Sequence, residues 1–147
     1  MRILLTFAFV AAGFMLSEPK TYVEALRSYD GAAYLDETCS ALICKAHAKV
    51  SKTKAECTAK ELWEGCGGKL EEVANAASLA KLDWTQVKAG DVLAVNGVHV
   101  VAYLGDGQCI DSDPLQGGVA EVSAETLMAK TGDAWFNGPV RVERWVK

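Results

Sequence analysis

The chain has 147 residues, half of them hydrophobic and 23% charged, with a formal net charge of −4. This is ordinary globular composition, which argues against disorder, and the acidic balance argues against nucleic acid as a partner. No repeat and no low-complexity segment interrupts it, and one domain of this size buries about 70% of its unfolded surface.

The first segment, "MRILLTFAFVAAGFMLSEPK", places one arginine before a mostly apolar run from Ile3 to Leu16. That run is short of the roughly 20 residues a spanning helix needs, and it fits the hydrophobic region of a secretory signal. Residues 1–17 are therefore expected to be a signal peptide or a hydrophobic anchor, and 18–147 a single catalytic domain. Export is the favoured reading, to a secreted or periplasmic location. A retained anchor or a buried first helix are the alternatives, and a membrane partner is expected only if the segment is retained.

"TYVEALRSYDG" predicts a short amphipathic helix closed by Gly31, with Tyr22, Ala25, Leu26 and Tyr29 on one face. "LDETCSALICKAHAKV" predicts a second, beginning near Cys39, capped by Asp36, Thr38 or Ser40, with Leu42, Ile43 and Ala46 inward. "CTAKELWEGCGG" predicts a third, stopped by Gly67 and Gly68, and "EEVANAASLA" is an ambiguous stretch open to helix. Strands follow in "DVLAV", "VHVVAYL", "QCIDS" and "GVAEV", with Asn96-Gly97 as a hairpin signal. "VSAETLMAKTG" reads as a helix and "PVRVERWV" as a last strand. Helices first and antiparallel strands second make an α+β layout.

Five cysteines (Cys39, Cys44, Cys57, Cys66 and Cys109) agree with an oxidising compartment, and the odd number leaves a thiol over after two disulfides. Five reduced, buried cysteines is the alternative. If the stretch between Cys57 and Cys66 is helical throughout, their Cα atoms lie about 13 Å apart, too far for a bridge. No metal is expected, because the sequence lacks CxxC and HxxxH pairs.

A nucleophilic thiol needs a base. Of the two histidines, His47 lies eight residues beyond Cys39, about 12 Å along one helix, and cannot reach its sulfur. His99, set among valines, remains. Cys39 at a helix N-terminus has free N–H groups and the positive dipole end to favour thiolate, and Cys57 is the runner-up. The turn at Gly105-Asp106-Gly107 sets the place of Asp111. A two-residue loop is expected to put it on the face away from His99. A three-residue loop, with Gly107 left-handed, makes it a diagonal same-face neighbour able to hold imidazole Nδ1. A solvated strand-end aspartate is the competing reading.

Together these stretches resemble the NlpC/P60 family of papain-like cysteine peptidases. The matching segments are "GAAYLDETCSALI", "KAGDVLAV", "GVHVVAYLGDGQCID" and "GGVAEVSAETL", from about Tyr22 to the C-terminus. The chain departs from the family pattern at Thr38, where aspartate is usual, at Ala41, where glycine is usual, and at the inserted Val98. Asp111 stands where histidine is more common. The resemblance implies a papain-like fold, with N-terminal helices on a central antiparallel sheet. It also implies cysteine peptidase or amidase activity on peptidoglycan stem peptides, without a cofactor. By position it implies Cys39 as nucleophile, His99 as base, Asp111 as third member, and Tyr34 and Ser40 on the substrate side. A drifted binding module and a membrane-anchored or virion-associated lysin are the alternatives.

Overall fold

A computed structural model describes residues 19–147, so the expected leader falls outside the described residues. Four α-helices and a six-stranded antiparallel sheet make a mixed, α+β architecture among them. The helices are α1 (Tyr22–Arg27), α2 (Cys39–Val50), α3 (Ala59–Trp63) and α4 (Ala124–Ala129). The strands are β1 (Leu70–Ala76), β2 (Val92–Val95), β3 (His99–Gly105), β4 (Gln108–Asp113), β5 (Gly118–Ser123) and β6 (Val140–Trp145). Across the sheet they run β1-β6-β2-β3-β4-β5.

Alternation along the strands divides two cores. Val92, Ala94, Val100, Ala102 and Ile110 face the helical layer, where Leu26 of α1, Leu42, Ile43 and Ala46 of α2 and Leu62 of α3 are buried. Leu93, Val95, Val101, Tyr103 and Cys109 face the opposite layer with Leu127 of α4 and Phe136. Each such leucine or isoleucine contributes about 1.5–3 kcal/mol by leaving water. Among the described residues no helix is long and apolar enough to cross a membrane.

Four local expectations are corrected. The first helix ends at Arg27, and Gly31, at φ 84°, lies in the turn beyond. "EEVANAASLA" forms no α-helix: most of it lies in β1 and only its end enters a short 3₁₀ turn (Leu79–Lys81), because pairing with β6 outweighs the helix preference of its alanines and glutamates. The helix after Cys57 is not stopped by Gly67 and Gly68. It has already ended at Trp63, where left-handed Gly65 (φ 95°) turns the chain back. That reversal brings the Cα atoms of Cys57 and Cys66 to 5.9 Å, and the two form a disulfide. Cys57 is thereby removed as a rival nucleophile, and Cys39, Cys44 and Cys109 are left free.

The turn after β3 carries the fourth correction. Gly105 pairs with Gln108 across Asp106-Gly107, so the loop has two residues, not three. Both loop residues have positive φ (52° and 72°), the backbone a type I′ turn requires. The register nevertheless shifts between Tyr103 and Gly105, so that Tyr103 pairs with Cys109 and Ala102 with Ile110. Leu104 is thus one residue too many for its partner strand. This bulge cancels the offset of the shorter loop and returns Asp111 to the face of His99.

The loop ahead of α2 is stitched to β5. Ala33 bridges Gly118, and the N–H groups of Gly31 and Val119 donate to Val119 O and Ala32 O. A Cβ on Gly118 (φ 133°) would lie 2.1 Å from Ala32 O and 2.8 Å from the Tyr34 nitrogen. Gly118→Ala is therefore expected to cost at least about 2 kcal/mol in denaturant unfolding, through overpacking and positive φ together. An unchanged midpoint would mean that this loop gives way freely.

Candidate active site

Cys39 opens α2. Thr38, extended at φ −66° and ψ 169°, caps the helix by accepting the Ala41 N–H at 3.4 Å. The thiol is partly exposed at a twelve-residue helix's positive end, beside N–H groups that have no partner within the helix. His99 starts β3, and its side chain shares the face of Val101 and Tyr103. The β3–β4 ladder stops at Ala102–Ile110, while β4 continues along β5 to Asp113–Gly118. Across the unpaired ends His99 Nε2 meets Asp111 Oδ1 at 2.7 Å, both residues fully buried. Asp111 thus engages Nε2, where the sequence reading had Nδ1.

Nδ1 is buried, and with Nε2 held by Asp111 it is the ring nitrogen left for Cys39. Burial alone would depress the His99 pKa. The Asp111 hydrogen bond, then the hydrogen-bonding and charge influence of Cys39, outweigh burial and raise it to about 9. An imidazole with this environment stays protonated at neutral pH and can pair with a thiolate.

Two aromatic residues that sequence reasoning missed complete the ring's setting. Trp135 stacks on His99 with centroids 4.9 Å apart, and Phe136 meets it edge-on at 5.0 Å. Both lie in the connection between α4 and β6, and no motif or periodicity in "DAWFNG" marks them. Ser112, also unremarked in the sequence, donates its hydroxyl to Glu37 O and so ties β4 to the chain just ahead of Cys39.

Tyr34 comes to the site. Its ring lies 6.2 Å from Trp135, and burial together with the charges of Cys39, Asp113 and Asp111 raises its pKa. A cleft of about 270 Å³ opens beside it, between Asp113, Leu115, Asp133 and Trp135. Ser40 is placed differently. It lines a separate cavity of about 470 Å³ between α2 and the 54–58 segment, along with Ala41, Cys44 and Ala55. His47 stacks on Trp145 at 3.7 Å, remote from Cys39 near the other end of α2. Among the described residues no group of three or more His, Cys, Asp or Glu side chains is arranged to hold a metal ion.

The three free thiols differ in ways that labelling can read. Burial raises the Cys44 pKa, and burial followed by the Asp111 charge pushes Cys109 up to about 12. Cys39 is the partly exposed one, next to an imidazolium. One equivalent of iodoacetamide near neutral pH is expected to modify Cys39 ahead of the other two, as peptide mass mapping would show. First modification at Cys44 or Cys109 would remove Cys39 as the nucleophile. A scan against models of known protein families gives no match to this chain, and a search of curated proteins finds no relative.

Proposed function

We propose that the chain is an exported, papain-like cysteine amidase of NlpC/P60 type that hydrolyses amide bonds in peptidoglycan stem peptides. The observation that carries this reading is the buried His99–Asp111 pair, 2.7 Å across, with the Cys39 thiol at the head of α2 near enough to act on the same ring. The disulfide supports an oxidising compartment.

In the reaction, the Cys39 thiolate attacks the amide carbon and the carbonyl electrons move onto oxygen. First-turn N–H groups of α2 face that oxyanion. His99 Nδ1 gives its proton to the leaving nitrogen as the C–N bond breaks, leaving a thioester on Sγ. Water then loses a proton to His99 and attacks the thioester, freeing the acid and expelling the Cys39 thiolate beside the restored imidazolium. Asp111 fixes the ring through Nε2 and offsets the charge of the imidazolium. Tyr34 and the Trp135 cleft lie where substrate would pass. The family resemblance points to the bond between D-Glu and a diamino acid, and no cofactor is needed.

Purified muropeptides incubated with wild type and with Cys39→Ala test the reading by mass spectrometry. Fragments that together equal substrate plus one water are expected from wild type alone. No cleavage by wild type, or equal cleavage by the variant, overturns it. N-terminal sequencing of the mature protein separates a cleaved leader from a retained anchor.

A further inference from the structure

Away from Cys39, the other end of α2 borders a groove of about 660 Å³. His47 lines it eight residues beyond Cys39, so this groove begins roughly 12 Å along the helix from the thiol. Its rim carries Lys20, Lys88, Arg144 and Lys147, and its wall includes His47 stacked on Trp145. Among the described residues the sole carboxylate side chain lining it is Asp91, whose two oxygens are both taken by the Arg144 fork at 2.8 Å, and one also by the Lys88 N–H. Among the described residues no carboxylate side chain lies within salt-bridge distance of the Lys88 or Lys147 ammonium. At the catalytic end, by contrast, the buried carboxylates Glu37, Asp111 and Asp113 each stand near a partner, Lys45, His99 and Lys130.

We infer that this groove binds a linear phosphodiester polymer of the polyol-phosphate kind, holding the protein on it. Three features select this chemistry. The arginine fork, which would suit a planar carboxylate, is already filled by Asp91. The remaining cations are the lysine ammoniums of Lys20, Lys88 and Lys147, point charges without directional demand that suit tetrahedral phosphate anions. The site is concave with a stacked aromatic pair in its wall, which admits a chain and not a flat bilayer.

The assignment does not depend on the proposed catalysis. Full-length protein would be titrated calorimetrically with poly(glycerol phosphate), then with monomeric glycerol phosphate and with phosphatidylglycerol vesicles. The paired change Lys88→Glu with Lys147→Glu touches only exposed side chains, and Lys60→Glu with Lys81→Glu makes the same charge change elsewhere. Expected is polymer binding that weakens steeply with salt. The groove variant should lose about tenfold or more, and the control no more than about threefold. Melting temperatures should match, showing that the loss is not unfolding. Equal losses in both variants, binding to vesicles alone, or no polymer binding at low salt overturns the inference.

Discussion

His99→Ala is expected to lower kcat/KM on a cleavable stem peptide by on the order of 10²-fold or more, the usual contribution of a positioned base. His47→Ala should stay within about threefold of wild type, since its ring contacts Tyr22 and Trp145 and not the reacting atoms. The pair of variants makes the comparison internal, because both remove an imidazole that stacks on a tryptophan. Equal losses would mean that packing, and not proton transfer, sets the rate.

The pH profile adds a readout that a packing defect would not move. The His99 pKa is raised from 6.5 to about 9, so the imidazolium form persists through neutrality and is lost as pH rises through about 9. Activity of the wild type should fall on that alkaline limb. The same shift makes a stability contribution that is fully present below pH 6.5 and disappears as pH climbs through about 9. Activity that keeps rising past pH 10 would contradict an imidazolium–thiolate pair.

Where sequence spoke clearly, a residue's own backbone preference and its neighbours agreed. Asn96-Gly97 turns β2 into β3 with both residues at positive φ, and of the three cap candidates Asp36, Thr38 and Ser40 it is Thr38 that caps α2. The pairing of His99 with Asp111 was legible from alternation along two strands, yet the route was misjudged. Leu104 carries no mark of a bulge, since what makes it one is the competition between an Asp-Gly turn and the register demanded by β5. The Cys57–Cys66 bridge was hidden by treating nine residues as one helix, when a left-handed glycine reverses the chain after a single turn. Trp135 and Phe136 are 36 and 37 residues beyond His99, and nothing local links such distant positions. Contacts of this kind are decided by packing, which one sequence does not display.

Asp111 carries the sharpest consequence of the geometry. Asp111→Ala should lower turnover roughly 10²-fold. That is less than the ~10⁴ lost when the corresponding carboxylate is altered in a serine triad, because a thiol needs less help from its base. Asp111→Asn should recover part of this, since an amide oxygen still accepts the Nε2 proton and orients the ring while offering no negative charge. Removing the carboxylate also leaves Nε2 buried and unpaired, costing about 1–3 kcal/mol. Without Asp111 the depressing effect of burial on His99 is no longer outweighed by its main opponent, so the His99 pKa falls. The sign of the pH effect then follows. The gap in melting temperature between wild type and Asp111→Ala should be widest below pH 6.5, where the unfolded chain protonates His99 and the variant's folded site resists it. The gap should narrow as pH rises through about 9. Asp113 is the control: it is equally buried, but it caps the Leu115 N–H at 2.8 Å and stands near Lys130 instead of His99. Asp113→Ala should lower stability through the lost cap by about 1 kcal/mol and leave the alkaline limb near pH 9 in place. If Asp113→Ala abolishes that limb while Asp111→Ala preserves it, the carboxylate that orients His99 has been misassigned. Cys39 and His99 would then stand as a dyad.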